Sequence, residues 1–284
     1  MPFYFDRLGN LRLREFDHWP WLIHGFSTRS AGNLQPRPAQ DRFARSLAGP
    51  GAKLVTARQI HSAIVRLATD SGRPGDSLVT AAPGILVGIK TADCLPILLA
   101  NPRCRVVAAV HAGWCGAAKR VVEKTIGEMR CAFGSDPADL HAAIGPGIQA
   151  CCFEVGPEVL QEFASQFVDA DQFCRPDPPD PALTMLPHPT MTGEGHALMR
   201  RLDSDHGRVD LAEAVRRQLL AAGVSRIYNS GLCTACDLKH FYSYRREKEA
   251  AGRMLAVIGV RLESSARAED LTQGRFPETS ETVG

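Results

Sequence analysis

Three apolar runs of strand length, Ile85–Lys90, Leu95–Ala100 and Arg105–His111, follow one another within 27 residues. Each is bounded by Gly, Pro or Asn-Pro, the punctuation expected of buried strands. The chain then changes period. From Gly116 to Phe133, Ala118, Val122, Ile126, Met129 and Phe133 fall on one face at steps of three and four, and Gly134 supplies the stop. That succession predicts a helix packed on a buried sheet. Leu22–Thr28 and Lys53–Leu67 read as extended, His141–Gly145, Arg226–Ser230 and Met254–Val260 as strands, and Pro157–Phe167 and Val209–Ala222 as helices. One mixed α and β domain over residues 1–262 accounts for the pattern. A proline-rich stretch at 174–208 reads as a long loop, and the polar segment 263–284 as a disordered tail.

Composition narrows the class of function. With 284 residues, 44% apolar and a formal charge of +2, the chain can bury a large core and shows no basic excess, so nucleic acid is not an expected partner. No run approaches the roughly 20 apolar residues that span a bilayer, so no membrane partner is expected either. Residues 1–15 lack the apolar stretch of a secretory signal. Nine cysteines, an odd count irregularly spread, point to reduced thiols in a cytoplasmic protein.

Three segments place reactive side chains at strand ends: Arg58-Gln59-Ile60-His61, Thr91-Ala92-Asp93-Cys94-Leu95-Pro96 and Val110-His111-Ala112-Gly113-Trp114. Imidazoles and thiolate are zinc ligands, and His61, Cys94 and His111 would leave a fourth position for water or substrate. Their separations of 33 and 17 positions match no compact metal motif, so buried packing residues are an equal reading of spacing alone. A helix start after His111 would favour a nearby anion. Cys151-Cys152 are neighbours whose side chains should point apart, which argues for structural roles. Cys233 and Cys236 form a Cys-x-x-Cys pair with no second such pair to complete a four-cysteine site. Cys104, Cys115, Cys131 and Cys174 have no partner pattern. Phe241-Tyr242-Ser243-Tyr244-Arg245-Arg246 is either a ring-stacking, anion-clamping segment or a solvated basic turn.

Taken in order, these segments resemble the YfiH-like family, also labelled polyphenol oxidase or laccase-domain proteins, whose members include bacterial purine nucleoside phosphorylases. The resemblance runs through His24-Gly25-Phe26-Ser27-Thr28-Arg29, Gln59-Ile60-His61, Thr91 to Pro96, His111-Ala112-Gly113-Trp114 and Ile144-Gly145-Pro146. It continues through Cys151 to Gly156, Asp210-Leu211, Cys233-Thr234 and Tyr242 to Arg246, covering most of residues 22–260. It implies an α+β fold, a layered mixed β-sheet flanked by helices. It implies a zinc site of His61, Cys94 and His111, which would also take copper if supplied. The implied activity is phosphorolysis of adenosine, inosine, guanosine or methylthioadenosine, and deamination of adenosine. Within that activity Asp93 would orient a ligand or carry a proton, and Arg29, Tyr244, Arg245 and Arg246 would bind nucleoside or phosphate. A monomer is the default expectation.

Two departures stand out. The family has Arg or Lys after His-Ala-Gly-Trp, where this chain has Cys115, so phosphorolysis would be weak unless another residue such as Lys119 substitutes. Gln149-Ala150 replaces the usual Gly-Pro before the double cysteine. Three other functions use the same residues. A multicopper phenol oxidase needs paired His-x-His ligands, and the nine histidines here contain none. A metal-free cysteine hydrolase, editing peptidoglycan precursors for instance, would use Cys94 as nucleophile and His111 or His61 as base. A non-catalytic scaffold would retain only the fold.

Overall fold

The computed structural model describes residues 2–176 and 206–262. Most of the expected loop at 174–208 and the whole expected tail at 263–284 lie outside the described residues. A first six-stranded sheet contains β1 (Phe3–Phe5), β2 (Leu11–Leu13), β3 (Leu22–Phe26), β4 (Lys53–Thr56), β7 (Ile85–Thr91) and β15 (Met254–Val260), in the order β1-β2-β3-β15-β7-β4. A second contains β5 (Val65–Leu67), β6 (Ser77–Thr80), β8 (Leu95–Asn101), β9 (Val106–Ala112), β10 (His141–Ile144) and β14 (Arg226–Asn229), in the order β14-β10-β8-β9-β6-β5. Both are mixed: β4–β7, β5–β6 and β10–β14 are parallel and the other pairs antiparallel. β11 (Glu154–Val155), β12 (Cys174–Pro176) and β13 (Gly207–Val209) make a small third sheet.

The apolar runs are continuous because both faces of each large sheet are covered. Alternate residues supply different layers. Leu98, Ala100, Val107 and Ala109 meet Val87, Ile89, Ala256 and Ile258 between the two sheets. Ile97, Leu99, Ala108 and Val110 face outward, under α3 (Trp114–Ala118), α4 (Val121–Phe133), α5 (Pro157–Gln166) and α6 (Leu211–Ala221). Leu86, Leu255 and Val257 pack under Phe43 and Ala44 of α2 (Arg37–Ala48), which follows the short α1 (Arg14–Asp17). The result is four layers, helix on sheet on sheet on helix. The expected layered, mixed-sheet fold flanked by helices is present; its strands divide between two stacked sheets, a detail that periodicity cannot supply when the central strands are buried on both sides.

The helix expected over Gly116–Phe133 is also divided. α3 begins earlier, at Trp114, and ends at Ala118; Arg120 then adopts a left-handed φ of 61° before α4 starts. The break re-aims the chain so that Val121, Val122, Ile126 and Met129 are buried. Arg120 holds the corner by bonding Glu123 and the Gln166 carbonyl and covering the Phe167 ring. Val209, expected in a helix, belongs to β13, because Asp210 caps α6 by accepting from the Glu213 N–H at 2.9 Å.

His24 on β3 is fully buried, and its Nε2 accepts the Leu13 N–H at 2.9 Å. Burial first, and the Arg12 charge second, pull its pKa down to about 3. The unfolded chain takes up the proton below about pH 6.5 while the folded chain does not. Stability is therefore complete above that pH and is lost as pH falls toward 3. His24→Gln keeps the acceptor and removes the titration. Its stability deficit against wild type, measured by urea unfolding at pH 7, should shrink by about 3 kcal/mol at pH 4.

Candidate functional site

Two crossings from the first sheet to the second deliver site residues. The connection from β4 to β5 carries His61, and the three-residue corner from β7 to β8 carries Cys94. Both crossings use backbone that ordinary residues seldom adopt: His61 sits at φ 55° and Asp93 at φ 89°. His111 is the penultimate residue of β9, opposite Pro96 in the antiparallel register with β8. One donor atom from each of His61, Cys94 and His111 lies within 4.8 Å of the other two. The two imidazoles meet edge to face, with centroids 5.0 Å apart.

Asp76, immediately before β6, organises this cluster and was not anticipated from sequence. It is fully buried. Its Oδ1 accepts from the His61 N–H at 3.0 Å and from His111 Nδ1 at 2.8 Å. Its Oδ2 accepts from the Ser62 N–H and hydroxyl at 2.6 Å each, and the Ile60 N–H also points at the carboxylate. Its carbonyl accepts from the His111 N–H at 2.7 Å. Burial would push the Asp76 carboxyl up, but hydrogen bonds from His111 and Ser62 outweigh it and hold the group at about 2. An ionised Asp76 fixes the His111 proton on Nδ1 and turns Nε2 toward the cluster, the carboxylate–histidine arrangement that orients metal ligands. Gln59 closes the loop from the other side, bonding both the N–H and the carbonyl of Lys90.

Burial alone would raise the Cys94 thiol. The neighbouring charge and hydrogen bond of His111, with help from His61, instead lower it. Burial correspondingly acts to lower His111, which the Cys94 thiolate and Asp76 raise. Two imidazoles and an easily formed thiolate are a donor set for zinc and, by the general affinity order, for copper. The group fits these residues.

Gly113 makes the cluster possible. A Cβ there would stand 2.9 Å from Cys94 Sγ and 3.1 Å from His61 Cδ2. Its φ of −74° and ψ of 171° suit any residue, so crowding is the only penalty. Gly113→Ala should fold normally by circular dichroism and bind zinc at least about tenfold more weakly in a chelator competition. Unchanged affinity would mean that the ligands do not occupy this geometry when loaded.

The cluster lines a cavity of about 780 Å³. Trp114, Ile148, Phe153 and Leu211 supply apolar wall, and Arg58, Lys90, Arg245, Lys248 and Arg253 supply positive charge. Burial, and then the charge of Arg253, lower the Lys90 pKa. Among the expected site residues, Asp93, Tyr244 and Arg245 line the cavity. Both Asp93 oxygens are engaged, with the Thr234 hydroxyl at 2.7 Å and the Arg245 N–H at 2.6 Å, so its carboxylate ties the walls together. The Tyr244 hydroxyl donates to Glu249 at 2.7 Å.

Arg29 and Arg246, expected to bind substrate, are absent from the cavity lining. Arg29 bonds the Phe241 carbonyl and Glu247 and covers the Tyr242 ring. Arg246 bonds the carbonyls of Thr234, Ala235 and Phe241, together with Glu247. Guanidinium forks suit such multiple carbonyl contacts, and the motif's arginines are used here to brace a turn. Cys115 is likewise outside the lining, next to Trp114, which is in it. The expected anion site at a long helix start is also reduced, because α3 has only five residues.

Residues 37–261 match the family model described as "Multi-copper polyphenol oxidoreductase laccase". The chain belongs to this laccase-like, YfiH-type family. A purine nucleoside phosphorylase of Deinococcus radiodurans is 36% identical over 256 residues, spanning 84% of this chain and 88% of that protein. An adenosine deaminase, RL5, from an unknown prokaryotic organism is 34% identical over 185 residues, or 64% of this chain and 61% of its own. The crystal structure of YlmD from Geobacillus stearothermophilus superposes with a TM-score of 0.70 at 28% identity, covering 92% of this chain and 99% of that one. The four-layer α and β architecture is thus a YfiH-type fold. No helix among the described residues is long and apolar enough to cross a membrane.

Proposed function

We propose that this chain is a zinc-dependent enzyme of purine nucleosides, cleaving the glycosidic bond with phosphate and deaminating adenosine. The observation that carries this reading is the convergence of His61, Cys94 and His111 on the wall of a basic, partly aromatic cavity. The names of the relatives from Deinococcus radiodurans and of RL5 support the two activities. Zinc, when bound, lowers the pKa of its water to about 7 and so supplies a hydroxide for attack at the purine C6.

The protein's own groups divide the remaining work. Trp114, Phe153 and Tyr244 offer flat surfaces to a purine. Phosphate needs cations near the ribose, and Arg58, Lys90, Arg245, Lys248 and Arg253 provide them without a basic residue at position 115. Phosphorolysis is therefore an expected activity of this chain despite Cys115.

The cysteine-hydrolase alternative has one specific support: the lowered Cys94 thiol beside a raised His111 resembles an activated thiolate pair. The deciding experiment uses protein purified without added metal or chelator. Metal content is measured first, and adenosine and inosine are then incubated with and without phosphate and the products separated. Bound zinc with free base appearing only with phosphate, or inosine appearing from adenosine, supports the proposal. Metal-free protein that leaves nucleosides intact and is alkylated at Cys94 by iodoacetamide transfers the site to the hydrolase. Oxidation of phenols by zinc-loaded, copper-free protein would revive the oxidase reading.

A further inference from the structure

A second sulfur cluster lies away from the cavity lining. Cys151 and Cys152 stand beside Cys233 and Cys236, and the four Sγ atoms lie within 4.8 Å of one another. Adjacent residues usually point apart, and here a tight turn prevents it. The N–H groups of Cys152 and Phe153 both bond the Gln149 carbonyl at 2.9 Å, which brings both thiols round to Cys236. The Cys152–Cys236 and Cys151–Cys236 sulfur separations are 3.3 and 3.6 Å. Sulfurs around one zinc at 2.3 Å would be about 3.8 Å apart along a tetrahedral edge.

The backbone around the sulfurs is also arranged. The two segments are joined independently of the thiols, since Gly147 bridges Cys233 and its carbonyl accepts the Thr234 N–H at 3.1 Å. The pairing that collects the cysteines therefore forms with the fold.

We propose that Cys151, Cys152, Cys233 and Cys236 bind a second metal ion, a zinc-class cation held by four thiolates in a closed structural site. Four protein ligands leave no position for substrate, which distinguishes it from the three-ligand set at His61, Cys94 and His111. Its bearing on the cavity runs through Thr234, inside the Cys-x-x-Cys turn, whose hydroxyl holds Asp93 beside Cys94. The thiol site would staple the segment after β10 to the segment after β14 and so fix that wall.

The test is metal counting on full-length protein purified with a non-chelating reductant. Wild type is expected to carry two zinc ions per chain, and Cys151→Ser/Cys236→Ser to carry one, with a melting temperature lower by several degrees. His61→Ala/His111→Ala should also retain one, now with X-ray absorption showing only sulfur neighbours near 2.3 Å. Cobalt loaded into that variant should give the intense thiolate charge-transfer bands of a four-sulfur site. This variant keeps the test decisive if the double-serine protein fails to fold. Loss of all metal from His61→Ala/His111→Ala, or a Cys152–Cys236 disulfide mapped by mass spectrometry in the freshly reduced preparation, overturns the proposal.

Discussion

Cys94→Ala is expected to abolish both metal binding at the His61, Cys94 and His111 centre and turnover of nucleosides. Cys94 provides the only sulfur of that set, and its half-buried side chain lies against the cavity. Removing it leaves two imidazoles on separate elements, one of them on an exposed loop residue, which cannot hold zinc tightly. On the proposed zinc-dependent reading, deamination should fall by roughly three orders of magnitude or more, because the residues that would hold the metal and let it lower the pKa of a water are no longer complete. The domain should remain folded, since the surrounding core of β8 and β9 is untouched. Metal content, steady-state rate and melting temperature measured on one preparation check all three statements. His61→Ala and His111→Ala should behave alike, and normal turnover in any of the three would remove that residue from the set.

Asp76→Ala should weaken the centre and the fold together. The buried carboxylate receives the N–H groups of Ile60, His61 and Ser62, the Ser62 hydroxyl and His111 Nδ1. Alanine leaves these donors buried without an acceptor, a loss on the order of 3–5 kcal/mol. The His61 loop would relax from its positive φ, and His111 would lose the partner that fixes its tautomer. Zinc affinity should drop about 10- to 100-fold. Asp76→Asn is expected to recover little, because its amide nitrogen would face N–H donors. Urea unfolding of metal-free protein, with zinc competition on the same variants, separates the two effects. A variant as stable as wild type but weak in zinc binding would show that Asp76 acts on His111 alone.

The strands around the site were readable because each run is apolar throughout, and β7, β8 and β9 fall where the three runs lie. Their division into two sheets was not readable, since a residue buried on either face presents the same hydropathy. Spacing left His61, Cys94 and His111 open between ligands and core residues; order along the family's motifs pointed to ligands. Asp76 gave no comparable signal. It is a single carboxylate between Gly75 and a short strand, and its role exists only once β6 pairs with β9, setting Ser77 opposite Val110. The four clustered cysteines were hidden for a similar reason: a double cysteine and a Cys-x-x-Cys pair meet only through the parallel pairing of β10 with β14. Arg29 and Arg246 show another limit of reading motifs. Their motif carries charge that suggests an anion, yet the backbone carbonyls of the neighbouring turns take it.

The two chain crossings that carry His61 and Cys94 both leave the first sheet and enter the second, where His111 already resides. The donor atoms therefore report the alignment of one sheet over the other. Any slippage between those layers would separate ligands before it exposed much core, so occupancy of the centre serves as a gauge of interlayer registry. A fragment holding either sheet alone would inherit an incomplete set of donors. Recombination among relatives should accordingly succeed at the outer helices more readily than along the seam between the sheets.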